Sequence, residues 1–150
     1  MGKPFLLSFF RFAGCPFCNL RIHELVSRFD ELANDFTIVA VFDSPLDNLI
    51  KHTKGHHAPS PILADEGNQY YHEYSIKKSI VGMLNGMFLH MPSLIKGVLK
   101  GYKPSSIKGN ITTMPADFLV DRSGIIQIAH YGTHPGDHLD FNTVKTFSLA

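Results

Sequence analysis

The sequence contains no tryptophan, only two cysteines, no marked excess of either charge and no uninterrupted apolar run of membrane-spanning length. Each absence excludes something. With 14 Lys and Arg against 13 Asp and Glu, a formal net charge of +1, the chain lacks the field that would make nucleic acid a default partner. Its most apolar stretch, Ser79 to Leu99, is interrupted by Asn85, His90, Pro92 and Lys96. It therefore falls short of the roughly 20 apolar residues of a membrane span. Two cysteines build no disulfide framework. What remains is a chain of 150 residues, 44% hydrophobic and 18% charged, the profile of one folded domain with a sizeable core.

The N-terminus calls for a check on targeting. Lys3, the apolar run Phe5 to Phe10 and then Ala13-Gly14-Cys15 superficially have the look of a lipoprotein signal. The run is shorter than the roughly 7–15 residues of a signal core, Arg11 interrupts it, and cleavage there would remove a strand the fold needs. Met1-Gly2 is no myristoylation signal, because Leu6 stands where that pattern wants Ser or Thr. The expectation is a cytoplasmic protein with no membrane association.

Periodicity sets out the elements. Pro4 to Arg11 is apolar on both sides, as in a short strand buried on both faces of a sheet. From Cys15, the apolar residues Phe17, Leu20, Ile22, Leu25, Val26, Phe29 and Leu32 follow a helical period with one wet face, and Pro16 suits its first turn. Phe36 to Phe42 reads as a second buried strand, Leu46 to about Lys54 as a short helix, Pro61 to Gly67 as a short strand with an acidic turn, and Asn68 to Tyr74 as another short helix. Glycines and prolines break up Ser79 to Lys108 into one or two short helices. Ala116 to Asp121, the turn Arg122-Ser123-Gly124 and Ile125 to Tyr131 form an antiparallel hairpin, and the tail supplies a closing helix. The plan is α/β, with a mixed central sheet sandwiched between helices in three layers.

The cysteines, Cys15-Pro16-Phe17-Cys18, sit at the first strand-to-helix junction. A cysteine at a helix N-terminus faces unpaired backbone N–H groups and the positive end of the helix dipole, which favour the thiolate. Cys15 is thus the candidate nucleophile and Cys18, one turn later, the candidate resolving thiol. Pro16 and Phe17 tune the pair and are candidate substrate contacts. Zinc is the competing use of such a pair, but it needs four ligands. His130, His134 and His138 have attractive spacing, yet Gly132, Pro135 and Gly136 break any shared helical face, so solvated loop histidines, no metal and no cofactor are expected. Met114 and Pro115 precede the late strand. Their peptide bond is a candidate cis bond against the cysteines, with exposed backbone on which an extended substrate could pair.

Phe9 to Cys18 with Arg21 and Glu24-Leu25, the run Pro61 to Gly67 with Tyr74, and Met114 to Gly124 together resemble the peroxiredoxin-like branch of the thioredoxin superfamily, of alkyl hydroperoxide reductase and thiol-specific antioxidant type. The resemblance implies a single thioredoxin-like domain over 1–150, with an irregular helical insertion at about 79–111, and an antioxidant or thiol-redox role. Two departures bear on mechanism. Phe12 stands where peroxiredoxins carry Thr or Ser, and Pro115 where they carry an Arg before the late strand. Arg11 or Arg21 could supply the missing positive charge. Arg21, on the first helix, is expected to be solvated, while Arg11, ending a strand, could equally well stabilise the thiolate or face water.

The leading expectation is a thiol–disulfide oxidoreductase acting on a protein or small-molecule disulfide with a reducing thiol partner. A thiol peroxidase using the same two cysteines is the alternative. A non-catalytic interaction module is a third, with the Met-rich stripe Met83 to Leu99 docking a partner or a second copy in a homo-oligomer. Against that stands the commoner reading, in which the stripe simply covers the sheet.

Overall fold

In a computed structural model of the chain, residues 2–102 and 109–150 are described. The part of the expected insertion that falls on 103–108 lies outside them. Five strands, β1 (Phe5–Phe9), β2 (Thr37–Phe42), β3 (Ile62–Ala64), β4 (Ala116–Val120) and β5 (Ile126–Tyr131), form one sheet in the order β3-β2-β1-β4-β5. β1 pairs in parallel with β2, and β2 with β3, whereas β4 runs antiparallel to both β1 and β5. The expected mixed sheet is therefore present, with β1 at its centre.

Among the described residues six α-helices accompany it: α1 (Pro16–Ser27), α2 (Leu46–Thr53), α3 (Gln69–Glu73), α4 (Ile80–Leu89), α5 (Met91–Leu99) and α6 (Phe141–Leu149). Alternation along β1 divides the core in two. Leu6 and Phe10 face Ile22 and Leu25 of α1, Leu49 of α2 and Val144 of α6. Leu7 and Phe9 face the other way, towards Tyr71 of α3 and Phe118. Each large side chain buried in this way contributes about 1.5–3 kcal/mol, which explains why the short β1 can hold the sheet's centre. Tyr71 donates its hydroxyl to the carbonyls of Val41, 3.0 Å away, and Phe10, tying α3 to the end of β1.

The hairpin between β4 and β5 turns as its sequence implies. Asp121 Oδ1 accepts from the N–H groups of Ser123 and Ile125, and Gly124 takes φ +80°, a conformation that favours glycine. The described part of the Ser79 to Lys108 region holds two helices, as expected, but most of their large apolar residues face water instead of covering the sheet, Leu94 packing against the core. α5 lies against α1, and the exposed side chains include Val81, Phe88 and Leu99.

Candidate active site

Cys15 is the N-cap residue of α1, and Asn19 holds the turn that presents it. Asn19 Nδ2 donates to the carbonyls of Ala13 (2.8 Å) and Cys15 (2.9 Å), while its Oδ1 pairs with His56 Nε2 at 2.8 Å. Pro16 opens the helix, as anticipated. Both cysteines are free thiols and fully buried.

Arg11 settles the local charge. Its side chain is buried, Nη1 lies 3.3 Å from Cys15 Sγ, Nε donates to the Thr113 carbonyl at 2.9 Å, and Nη2 donates to the Ile111 carbonyl. The loop bearing those carbonyls is fixed in turn by Asp43, whose Oδ2 accepts from Thr113 Oγ1 (3.0 Å) and the Asn110 N–H (3.2 Å). A chain of contacts thus runs from the end of β2 to the Cys15 sulfur. Burial works against the Cys15 thiolate, yet the hydrogen bond from Cys18, the Arg11 guanidinium and the N–H groups of Cys18 and Phe17 outweigh it and bring the pKa down to about 6. Burial, the bond to Cys15 and the Cys15 charge push the Cys18 thiol up. The two thiols therefore differ in acidity, Cys15 being favoured as the thiolate and Cys18 as the protonated thiol.

Several expectations need correction. The bond before Pro115 is trans, and the backbone there is not open to a substrate. Met114 N–H donates to the Lys77 carbonyl at 2.8 Å, Ser79 N–H to the Thr112 carbonyl at 2.8 Å, and Met114 is buried. The segment Lys77 to Ser79, leading into α4, pairs with the backbone on which a substrate strand was expected to pair. The physical reason is the obligation to pair buried N–H groups. Arg21 is not solvated either: it is buried, with Nη1 2.8 Å from Glu24 and Nη2 2.7 Å from the Leu139 carbonyl. Nor is His138 a solvated loop residue. Its Nδ1 lies 3.1 Å from Asp117, and its ring sits 4.9 Å from that of Phe10. His130 pairs with Asp137 at 2.9 Å. Among the described residues no cluster of His, Cys, Asp or Glu has metal-holding geometry.

Pro16 packs beneath Gly97 of α5. Phe17 is buried and forms part of a cleft of about 590 Å³ between α1, α5 and the loop before α6, with Arg21, His23, His90, Lys96 and His134 on its walls. Asn19, His56, Asp43 and Thr113 were not legible as site residues. The Asp43-Ser44-Pro45 strand end was the one local signal, and it marks a boundary rather than a role.

Residues 1–129 match the AhpC/TSA family. The chain belongs to that family. No curated protein sequence matches it. Among solved structures it is similar to a cysteine-to-serine mutant of peroxiredoxin 6 from Arenicola marina, with a TM-score of 0.67 at 9% identity over 95% of this chain and 58% of that one. It is similar also to peroxidoxin BcpB of Mycobacterium tuberculosis, with a TM-score of 0.59 at 12% identity over 99% and 79%. A secreted disulfide oxidoreductase of the same organism, homologous to Escherichia coli DsbE, gives 0.58 at 14% identity over 99% and 82%. The fold is thioredoxin-like, and this AhpC/TSA chain is a thiol oxidoreductase. Position 115 is proline in this chain, and a guanidinium reaches the Cys15 sulfur from Arg11, just past the end of the central strand.

Proposed function

We propose that the protein exchanges disulfides through Cys15 and Cys18. The observation that carries this reading is the Cys15 sulfur at the cap of α1, 3.3 Å from the Arg11 guanidinium and one helical turn from Cys18. The Cys15 thiolate attacks one sulfur of a substrate disulfide and displaces the other as a thiolate. Cys18, losing its proton, then attacks the Cys15 sulfur, releasing the second substrate thiol and leaving a Cys15–Cys18 disulfide. A reducing thiol partner restores the dithiol. A reducing, cytoplasmic compartment is the setting proposed for the cycle.

Arg11 also favours a second reading. Its Nη1 is a donor beside the nucleophile, which a peroxide oxygen could use in place of the absent Thr or Ser at Phe12. In that cycle the thiolate takes the terminal oxygen of a peroxide, an alcohol or water leaves with a proton, and Cys18 condenses with the sulfenic acid to give the same disulfide and water.

One experiment separates the two: the second-order rate constants of the reduced protein with hydrogen peroxide and with a small disulfide. Fast exchange and peroxide reactivity no greater than that of an ordinary thiolate are expected. Peroxide reaction far above that level would replace the first reading by the second, and slowness with both would remove both.

A further inference from the structure

Helices α4 and α5 are built with small residues inward and large ones outward. Gly82 and Gly86 press against the Thr133 carbonyl and the Pro135 ring so closely that an added Cβ would overlap them. Gly97 sits on Pro16, where a Cβ would lie 3.0 Å from the proline Cβ. On α4 the outward positions are Ile80, Val81, Leu84, Met87 and Phe88, a helical stripe at i, i+1, i+4, i+7 and i+8. Met91, Ile95 and Leu99 continue it along α5. All eight are between 40% and 81% exposed. Water-facing apolar side chains in such number along two consecutive helices mark a surface that meets an apolar partner.

Charge says which partner. From Tyr74 to Ala116 the chain has six lysines and no aspartate or glutamate, although its overall net charge is only +1, so the remainder is net negative. Lys77 and Lys78 lie exposed before α4, and Lys96 and Lys100 lie exposed along and just after α5, at the rim of the cleft beside Phe17. A second copy docking by the same helices would bring together two segments that each carry six lysines and no carboxylate of their own. An anionic bilayer offers phosphate groups to the lysines and, just beneath them, acyl chains to the stripe. With 10 and 9 residues, α4 and α5 are each about 15 Å long, half of a hydrocarbon core, and no helix among the described residues is long and apolar enough to cross a membrane.

We propose that helices α4 and α5 seat this protein on the surface of an anionic lipid bilayer, lying in the headgroup region without crossing it. The hydropathy of the segment excludes a span, but it does not exclude this. The inference stands apart from the chemistry of the cysteine pair, although Gly97 places α5 directly beside it.

The test is co-sedimentation of the full-length reduced protein with vesicles of phosphatidylcholine alone and of phosphatidylcholine containing phosphatidylglycerol. Binding to the anionic vesicles is expected to be at least about tenfold tighter than to the neutral ones and to weaken as salt rises. Val81→Glu and Phe88→Glu, both on exposed positions, should each weaken it about tenfold or more while circular dichroism and the Cys15 alkylation rate stay as in the wild type. Equal binding to both vesicle types, or none to the anionic ones, overturns the proposal. So does a concentration-dependent dimer that Phe88→Glu converts to monomer, because the face would then belong to a second copy.

Discussion

Arg11 shows how much a single side chain can decide at this site. Its guanidinium is desolvated, fixed by two backbone carbonyls and aimed at the Cys15 sulfur, so its charge acts with little screening from water. Cys15 is therefore expected to react with iodoacetamide along a pH profile with a midpoint near 6. Arg11→Gln should raise that midpoint by about 1–3 units, followed by alkylation rate or by ultraviolet thiolate absorbance. An unchanged midpoint would remove Arg11 from the account. Cys18→Ser should stop the cycle at the mixed disulfide, so that treatment with a small disulfide leaves one adduct per chain by mass spectrometry. At this scale the sequence was legible for the two cysteines, whose spacing and position after a strand carry their chemistry. It was half legible for Arg11, because the groups that hold it, the carbonyls of Ile111 and Thr113, lie about a hundred residues downstream.

At the scale of elements, periodicity located the helices and strands well because each pattern is local. It did not say which way α4 and α5 would face. Met83, Leu84, Met87 and Phe88 read equally well as a core stripe. The glycines decided the orientation, since only they allow the helix backbone to approach the 132–136 loop and Pro16 so closely. Gly86→Ala would drive a Cβ into the Pro135 ring, and it is expected to destabilise the protein by about 1–3 kcal/mol in urea unfolding. A neutral result would show that α4 is not held against that loop. The same close packing explains why the backbone before Pro115 is sealed. The residues leading into α4 pair with 112–114 and bury them.

Across the whole molecule, Asp117 joins parts distant in the chain. It lies opposite Ser8 in the β1–β4 ladder, accepts from the Ser8 hydroxyl, and receives His138 Nδ1 at 3.1 Å and the Leu139 N–H at 2.7 Å. Burial alone would raise its pKa, but the nearby His138 and Arg21 charges and the bonds from His138 and Ser8 hold it down to about 2. The folded pKa is then below the ordinary Asp value of about 3.9, so its stabilisation is complete above that pH and is lost as pH falls through about 2. Asp117→Asn is expected to cost about 3–5 kcal/mol near neutral pH and to flatten this acid limb, measured by urea unfolding at a series of pH values. An acid limb identical to that of the wild type would show that other carboxylates set it.

The sequence by itself determined the order of elements, the hairpin, the placement of the cysteine pair at a helix start and the family resemblance, because these depend on periodicities and spacings within a few residues. Only the tertiary structure decided that Arg11 rather than a residue at position 115 charges the site, that Arg21 and His138 are buried partners, and that the apolar stripe faces outward. Those outcomes depend on which distant groups the closed sheet brings together and on where glycine permits close approach. No local pattern constrains either.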